Sequence, residues 1–346
     1  MRALLKESPG PGIVLRDVPL PRYGPSEVLI RVHHAGVCGT DLHIWEWDSW
    51  ASQRLRPPVI VGHEFAGHIT ALGAEAEAAG LLTVGDLVTA EGHVVCGHCL
   101  QCRLGEGHLC RRTSIIGVDR DGAFADYIVM PASNVIRLDG IPTEIGAIMD
   151  PMGNAVHTVL EADVPGSTVL VLGCGPIGCF AVGVARAAGA SLVVASDLNP
   201  KRLELARAMG AHALFNPRQD DVVARVRELT GGDGVDLVCE MSGHPSGHAQ
   251  ALAAARIGGR VNLLGTPSRT TEVDFARDII FKGLTLYGVT GRKMYQTWHQ
   301  MRRFLRAGQV DPRPVITHRF PLEQIAEAIQ VIKDGQAGKV ILEVGS

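Results

Sequence analysis

The sequence predicts a two-domain α/β protein in which a compact β domain, barrel-like or sandwich-like, precedes a doubly wound parallel sheet. Three observations carry that expectation. The first 150 residues form short strand-like runs broken by Gly and Pro, the texture turns at Pro151 to alternating strand and helix, and 346 residues exceed one ordinary core, at about 150 residues per domain. Gly at 41 of 346 suits a fold of tight turns and close backbone approaches.

Hydrophobic residues make up 46% and charged residues 20%, values usual for globular proteins. A net charge of -3 without a long basic run argues against nucleic acid and anionic membrane surfaces as partners. Residues 1–7 lack the apolar core of a signal peptide, and no stretch approaches the ~20 apolar residues of a membrane span. The expectation is a cytoplasmic protein whose eight cysteines stay reduced, as ligands or packing.

In chain order, 27–32 is strand-like after Pro25, 59–61 ends at Gly62, and 64–72, 87–90 and 124–130 continue the rhythm across turns at Gly85-Asp86 and Asp121-Gly122. Between the first two strands lies Cys38-Gly39-Thr40-Asp41-Leu42-His43, and Gly62-His63-Glu64 follows. A thiolate, an imidazole and a carboxylate suit zinc, and a catalytic zinc takes three protein ligands and one open position. Thr40 and His43 are candidates to carry a proton away from whatever the metal binds. Taken singly, such residues are more often packing or surface groups.

Cys96, Cys99, Cys102 and Cys110 form the strongest local signal. Four thiolates at this spacing can close a tetrahedron around zinc, a site that holds a loop and does no chemistry; an iron–sulfur cluster is the alternative.

From 167–172, a buried-strand run, the chain passes through Gly173-Cys174-Gly175-Pro176-Ile177-Gly178 into a helix-like 180–188. Glycines between a strand and a helix let a pyrophosphate reach the helix N-terminus. The next strand, 192–196, ends at Asp197, an acidic group placed for ribose hydroxyls. NAD is favoured over NADP, although Arg202 nearby is able to accept a phosphate. Strand–helix alternation continues through 213–215, 222–229, 235–239, 249–255, 260–264 and 284–289, which makes six strands. The tail carries an amphipathic helix with Ile325, Ala328, Ile329 and Ile332 on one face, then a strand at 339–344 that completes the first domain. Trp45, Trp47 and Trp50 are expected to pack, and Cys174, Cys179 and Cys239 to lie in the core.

Cys38 with His63-Glu64, the four-cysteine lobe and Gly173–Gly178 with Asp197 together resemble the zinc-dependent medium-chain alcohol dehydrogenases over essentially the whole chain. Residues 38–50, 150–158 and 291–294 with Thr297-Trp298 resemble more narrowly the bacterial branch that oxidises L-threonine. The resemblance implies a GroES-like catalytic domain at 1–149 and 293–346, a Rossmann domain at 150–292, and a homotetramer. It implies two zinc ions per chain, the catalytic one held by Cys38, His63 and Glu64 with Thr40 and His43 as proton relay and Asp150, where the family also carries Glu, beside the metal. Ile177, Asp197, Arg202, Leu264, Gly265, Thr266, Val289 and Thr290 are implied to line the NAD site. His93 and Arg292 are candidates to hold the substrate's ammonium and carboxylate. A dehydrogenase of a vicinal diol or polyol is the nearest rival reading, and a zinc- and NAD-binding module without turnover is the rival of another class.

Overall fold

The computed structural model describes residues 1–267 and 269–345. Its contacts divide the chain into two units, the first Met1–Asp150 with Lys293–Trp298 and Ile316–Ser346, the second Pro151–Arg292 with His299–Val315.

Unit 1 begins with β1 (Arg2–Lys6), β2 (Glu27–Val37), α1 (Gly39–Glu46), α2 (Ser49–Arg54), β3 (Glu64–Leu72), β4 (Leu87–Ala90), β5 (Tyr127–Pro131) and β6 (Val135–Arg137). Helix α3 (Met149–Leu160) then leads out of it. Unit 2 follows as β7 (Thr168–Leu172), α4 (Pro176–Ala187), β8 (Leu192–Ser196), α5 (Pro200–Ala208), β9 (Ala213–Phe215), α6 (Val222–Leu229), β10 (Val235–Glu240), α7 (Pro245–Ala254), β11 (Ala255–Leu263) and β12 (Thr285–Gly288). The chain closes with α8 (Gln296–Arg306), β13 (Ile316–Pro321), α9 (Ile325–Lys333) and β14 (Lys339–Glu343).

Strand β2 is the spine of unit 1, pairing antiparallel with β3, β5 and β14. Its alternation puts Val28, Ile30 and Val32 on the core face with Phe65 and Ile69 of β3, the period-two signature of a sheet covered on one side. Ile325, Ala328 and Ile329 of α9 enter the same core, with Ile332 packed against it. The C-terminal segment thus completes the unit that the N-terminal strands begin. Trp45 and Trp47 pack on this core, and Trp50 is exposed.

Among the described residues unit 2 holds one six-stranded parallel sheet in the order β9–β8–β7–β10–β11–β12. The order reverses between β7 and β10, the kind of switch point where a crevice opens beyond the carboxyl ends of the strands. Cys174, Cys179 and Cys239 are buried in this unit. The crossover from β11 to β12 departs from the alternating pattern, with a six-residue π-helix, Phe275–Ile280, in place of an α-helix. Residues 299–315 cluster here rather than with the β-rich unit, because Met301, Val310 and Val315 are buried and Val310 packs beside Gly183 of α4. Among the described residues no helix is long and apolar enough to cross a membrane.

Candidate active site

Unit 1 brings Cys38, His63 and Glu64 together so that one donor atom of each lies within 4.8 Å of the others. Cys38 follows β2 directly and caps α1, its Sγ accepting the Thr40 N–H at 3.3 Å while Asp41 Oδ2 accepts the Cys38 N–H at 2.9 Å. This reciprocal cap fixes where the sulfur stands. Glu64 opens β3 directly opposite Gly36 of β2. A Cβ on Gly36 would stand 2.1 Å from Glu64 Oε2, so any larger residue there closes the space the carboxylate uses.

The donor set suits a divalent cation. His63 Nδ1 is buried and has no hydrogen-bond partner among the described residues. Burial alone would push the His63 imidazole down, yet the charge and hydrogen bond of Cys38, with Asp41 and Asp150, outweigh it and raise it to about 10. Acidic groups thus surround one imidazole, and a cation would relieve the excess. Sulfur, nitrogen and oxygen donors at three corners match zinc with one position left open. Asp150, 7% exposed in the first turn of α3, stands outside the three-donor set and acts on His63 and Glu64 through its charge.

A residue that sequence reasoning missed completes the surroundings. Lys339 of β14 is 2% exposed, and its Nζ lies 2.7 Å from Glu64 Oε1 and 2.5 Å from Oε2. Burial raises the Glu64 carboxyl, and Lys339 is the largest influence opposing that rise. Burial works to lower Lys339 itself, but Glu64 and Cys38 outweigh it and raise it. Nothing local in the sequence marks a partner 275 residues away.

Thr40 and His43 lie three residues apart on α1 and so share a face. His43 is exposed, and its Nδ1 is 2.6 Å from Asp48 Oδ2. His93 Nδ1 is 2.8 Å from Glu91 Oε1, and the other oxygen of this fully buried carboxylate accepts the Trp298 indole N–H at 2.8 Å. Arg292, a candidate for holding substrate, is instead 2% exposed within unit 2, packed against Gly153 with its Nη1 donating to Asn154 at 3.3 Å.

The four-cysteine lobe has a different geometry. Sulfur–sulfur distances of 3.5 Å (Cys99 to Cys102), 3.9 Å (Cys99 to Cys110) and 3.6 Å (Cys110 to Cys96) match the ~3.8 Å edge of a tetrahedron with ~2.3 Å zinc–sulfur bonds. All four lie within 4.8 Å of one another, which fits a single ion rather than thiolates spread over the irons of a cluster. Backbone N–H groups of Cys102 and Arg111 draw the Cys99 thiol down to about 6, a thiolate ready for a metal.

In unit 2 the predicted dinucleotide residues gather beyond the carboxyl ends of β7, β8, β11 and β12. Gly173 follows β7 and Gly175 caps α4, with Pro176 at its first turn and Ile177 half-buried behind it. A Cβ on Gly178 would stand 1.9 Å from the Gly173 carbonyl oxygen, whereas one on Gly175 would meet nothing within 4 Å. Gly178 lets helix and strand touch, and Gly175 leaves the helix N-terminus open to an anion. Asp197 follows β8, accepting the Cys174 and Asn199 N–H groups at 2.7 Å each. Carboxylate oxygens keep lone pairs for ribose hydroxyls. Arg202 of α5 has a buried Nε with no partner among the described residues. Leu264 and Gly265 donate to the Glu240 carbonyl at 2.9 and 3.1 Å, Thr266 follows them, and Val289 donates to the Leu263 carbonyl at 2.8 Å just before the exposed Thr290. Glu240, also missed, braces this edge: its buried carboxylate accepts the Ser242 and Gly243 N–H groups and stands 3.3 Å from His248 Nε2.

The chain is similar over its length to known dehydrogenases. Residues 24–140 match the alcohol dehydrogenase GroES-like domain, and 176–307 match the zinc-binding dehydrogenase family. The chain is 50% identical over 344 residues to an L-threonine 3-dehydrogenase of Symbiobacterium thermophilum, covering 99% of this chain and 97% of that one. Among solved structures it resembles the alcohol dehydrogenase TADH from Thermus sp. ATN1, with a TM-score of 0.91 and 31% identity over 100% of both chains. It also resembles an alcohol dehydrogenase (rspB) from E. coli CFT073 complexed with NADH, with a TM-score of 0.88 and 30% identity over 99% of each.

Proposed function

The chain belongs to the zinc-dependent alcohol dehydrogenase family, and from that membership we infer that it oxidises L-threonine at the 3-hydroxyl to 2-amino-3-oxobutanoate with NAD. The observation that carries the chemistry is the three-donor cluster of Cys38, His63 and Glu64 with a corner left open. The identity of the substrate rests on the chain-length likeness to the Symbiobacterium enzyme.

An unaided alcohol is too weak an acid to lose its proton at neutral pH. Zinc held there would supply Lewis acidity that lowers the hydroxyl pKa far toward neutrality, and NAD would supply the hydride acceptor. The protein's own groups hold, orient and move protons. Cys38, His63 and Glu64 hold the metal, and Asp150 adds negative charge beside it. Thr40 and His43 pass the hydroxyl proton toward solvent. Gly173, Gly175 and Gly178 admit the pyrophosphate, and Asp197 accepts the ribose hydroxyls and repels a 2′-phosphate. Ile177, Arg202, Leu264, Gly265, Thr266, Val289 and Thr290 line the rest of the cofactor site. Cys96, Cys99, Cys102 and Cys110 hold the second, structural zinc. In this reading unit 1 is the catalytic domain and unit 2 the NAD-binding domain.

We assign a cytoplasmic location, which suits eight free cysteines, and a homotetrameric assembly. What supports association is the crossover leading into the edge strand β12, where Phe275, Ile280 and Phe281 are 67%, 66% and 80% exposed. Light scattering tests it, with a dimer as the outcome that corrects it.

NADH formation by zinc-replete protein with NAD and L-threonine, beside 2,3-butanediol and sorbitol, tests the function. A kcat/KM for L-threonine at least about 100-fold above the others, ~2.7 kcal/mol of discrimination, is expected. A diol that wins overturns the substrate and leaves the zinc and NAD chemistry standing; no turnover of any alcohol favours a binding module.

A further inference from the structure

We propose that Asp48 is a positioning residue for the proton relay, its carboxylate holding the His43 imidazole with Nδ1 as donor so that Nε2 faces the incoming proton. The proposal rests on the dehydrogenase reading. Asp48 carries two tasks on two oxygens. Oδ1 caps α2, accepting the Trp50 N–H at 3.0 Å and the Ala51 N–H at 2.9 Å. Oδ2 takes no part in the cap and lies 2.6 Å from His43 Nδ1.

Capping alone does not call for a carboxylate, since Ser, Thr or Asn cap equally well. The second oxygen is what distinguishes Asp here. The backbone draws the same two residues together, the Asp48 N–H reaching the His43 carbonyl at 3.4 Å where the left-handed Trp47 (φ 55) ends α1. The Trp50 ring stands 5.9 Å from the imidazole. Asp48 is thus set by its cap before any substrate arrives, and the Ala51 N–H, with His43 and the Trp50 N–H, holds its carboxyl below the ordinary value and keeps it ionised.

During turnover the substrate O–H breaks as its proton passes to the Thr40 oxygen, while the Thr40 proton is relayed, through one intervening water that gives up one proton as it takes one, to His43 Nε2. One O–H bond is lost and one N–H bond is formed. The imidazolium so made carries its new positive charge beside the Asp48 carboxylate, in a hydrogen bond with both partners charged, roughly twice as strong as a neutral one. Nε2 then gives the proton to water, and the Nδ1–H stays with Asp48 throughout. This is the orienting task of the aspartate in a Ser-His-Asp triad, which fixes the tautomer without taking the proton.

Asp48→Asn keeps an oxygen for the cap and turns an amide N–H toward Nδ1, which favours the opposite tautomer. The expected result, read with whichever alcohol the wild type oxidises, is a kcat lower by about 100-fold, within the range of lost acid–base catalysis. KM for NAD and for the alcohol should move less than about threefold by the same argument, since no binding contact is removed, with Tm and zinc content unchanged. The solvent deuterium isotope effect on kcat should rise. Asp48→Ser, which caps α2 without a carboxylate, guards against a folding defect and should be slow in the same way. The deciding comparison is with His43→Asn: the double variant should be no slower than His43→Asn alone, because Asp48 acts only through that ring. An unchanged kcat and isotope effect in Asp48→Asn, or an undiminished loss in the His43→Asn background, overturns the proposal. A wild type that oxidises a diol instead of L-threonine overturns only the substrate.

Discussion

The two donor clusters of unit 1 are built by opposite means. The lobe draws all four sulfurs from residues 96–110, in a short excursion of the chain whose Leu100 and Leu104 are exposed. The other cluster joins the end of β2 to the start of β3 and is backed by Lys339 from the far end of the chain. In the lobe four like donors would saturate an ion and leave no corner open. At Cys38, His63 and Glu64 three unlike donors leave a corner open, and buried charges on Asp41, Asp150 and Lys339 surround them. Local spacing therefore makes stability, and long-range assembly makes reactivity.

The largest effect expected from breaking this contrast is in the lobe. Cys102→Ser should lose one zinc and about 4 kcal/mol of stability, which at 2–4 °C per kcal/mol is a fall of ~10 °C in Tm by calorimetry. A variant that loses the ion but melts with the wild type would show that the lobe does not stabilise the unit. Lys339→Met comes next. It leaves Glu64 buried without its cation, which costs about 3–5 kcal/mol in metal-free protein and less when zinc offsets the carboxylate. Equal urea midpoints for the metal-free pair would contradict the role given to Lys339.

A smaller effect sharpens the contrast between binding and scaffold in unit 2. Gly175→Ala meets nothing within 4 Å and its φ of -60° suits alanine, so Tm should hold while the Kd for NAD, followed by nucleotide fluorescence, weakens about tenfold, ~1.4 kcal/mol. The smallest concerns Asp236 at the start of β10, where burial would raise the carboxyl but the Thr168 N–H and Arg256 outweigh it and lower it. A carboxyl lowered by folding stabilises above its unfolded pKa of ~3.9, and that stability is lost as pH falls through the folded value. Asp236→Asn should thus be less stable than wild type at pH 7 by no more than about 1 kcal/mol, given its partial exposure, with the gap starting to close only below about pH 4 and gone once pH has fallen through the folded value, toward about pH 2. Parallel urea midpoints at both pH values would refute it.

What the sequence made legible follows the same division. The runs at 167–172 and 192–196 and the glycines between them announce β7, α4 and β8, because buried parallel strands are apolar throughout and a helix N-terminus at a phosphate site needs small residues. The spacing of the four cysteines is legible for a similar reason: neighbours in sequence become neighbours in space. Cys38, His63 and Glu64 were legible as residue types, but their joining depends on the β2–β3 register and on the missing side chain of Gly36. Lys339 and Glu91 left no mark, since an ion pair across 275 residues or an indole held across 207 has no periodicity to reveal it. The turn at Phe275–Ile280 escaped as well, being a single wide turn with no buried face to leave a helical pattern.

Zinc content and turnover, measured side by side on wild type and Cys38→Ser, test the central claim most directly. The account predicts two zinc ions per chain in the wild type with NAD-dependent oxidation of L-threonine, and one zinc ion with turnover lower by at least about 1,000-fold, ~4 kcal/mol, in the variant, its Tm held by the intact lobe. A variant that keeps both ions, or one that loses an ion and still oxidises L-threonine at the wild-type rate, would contradict it.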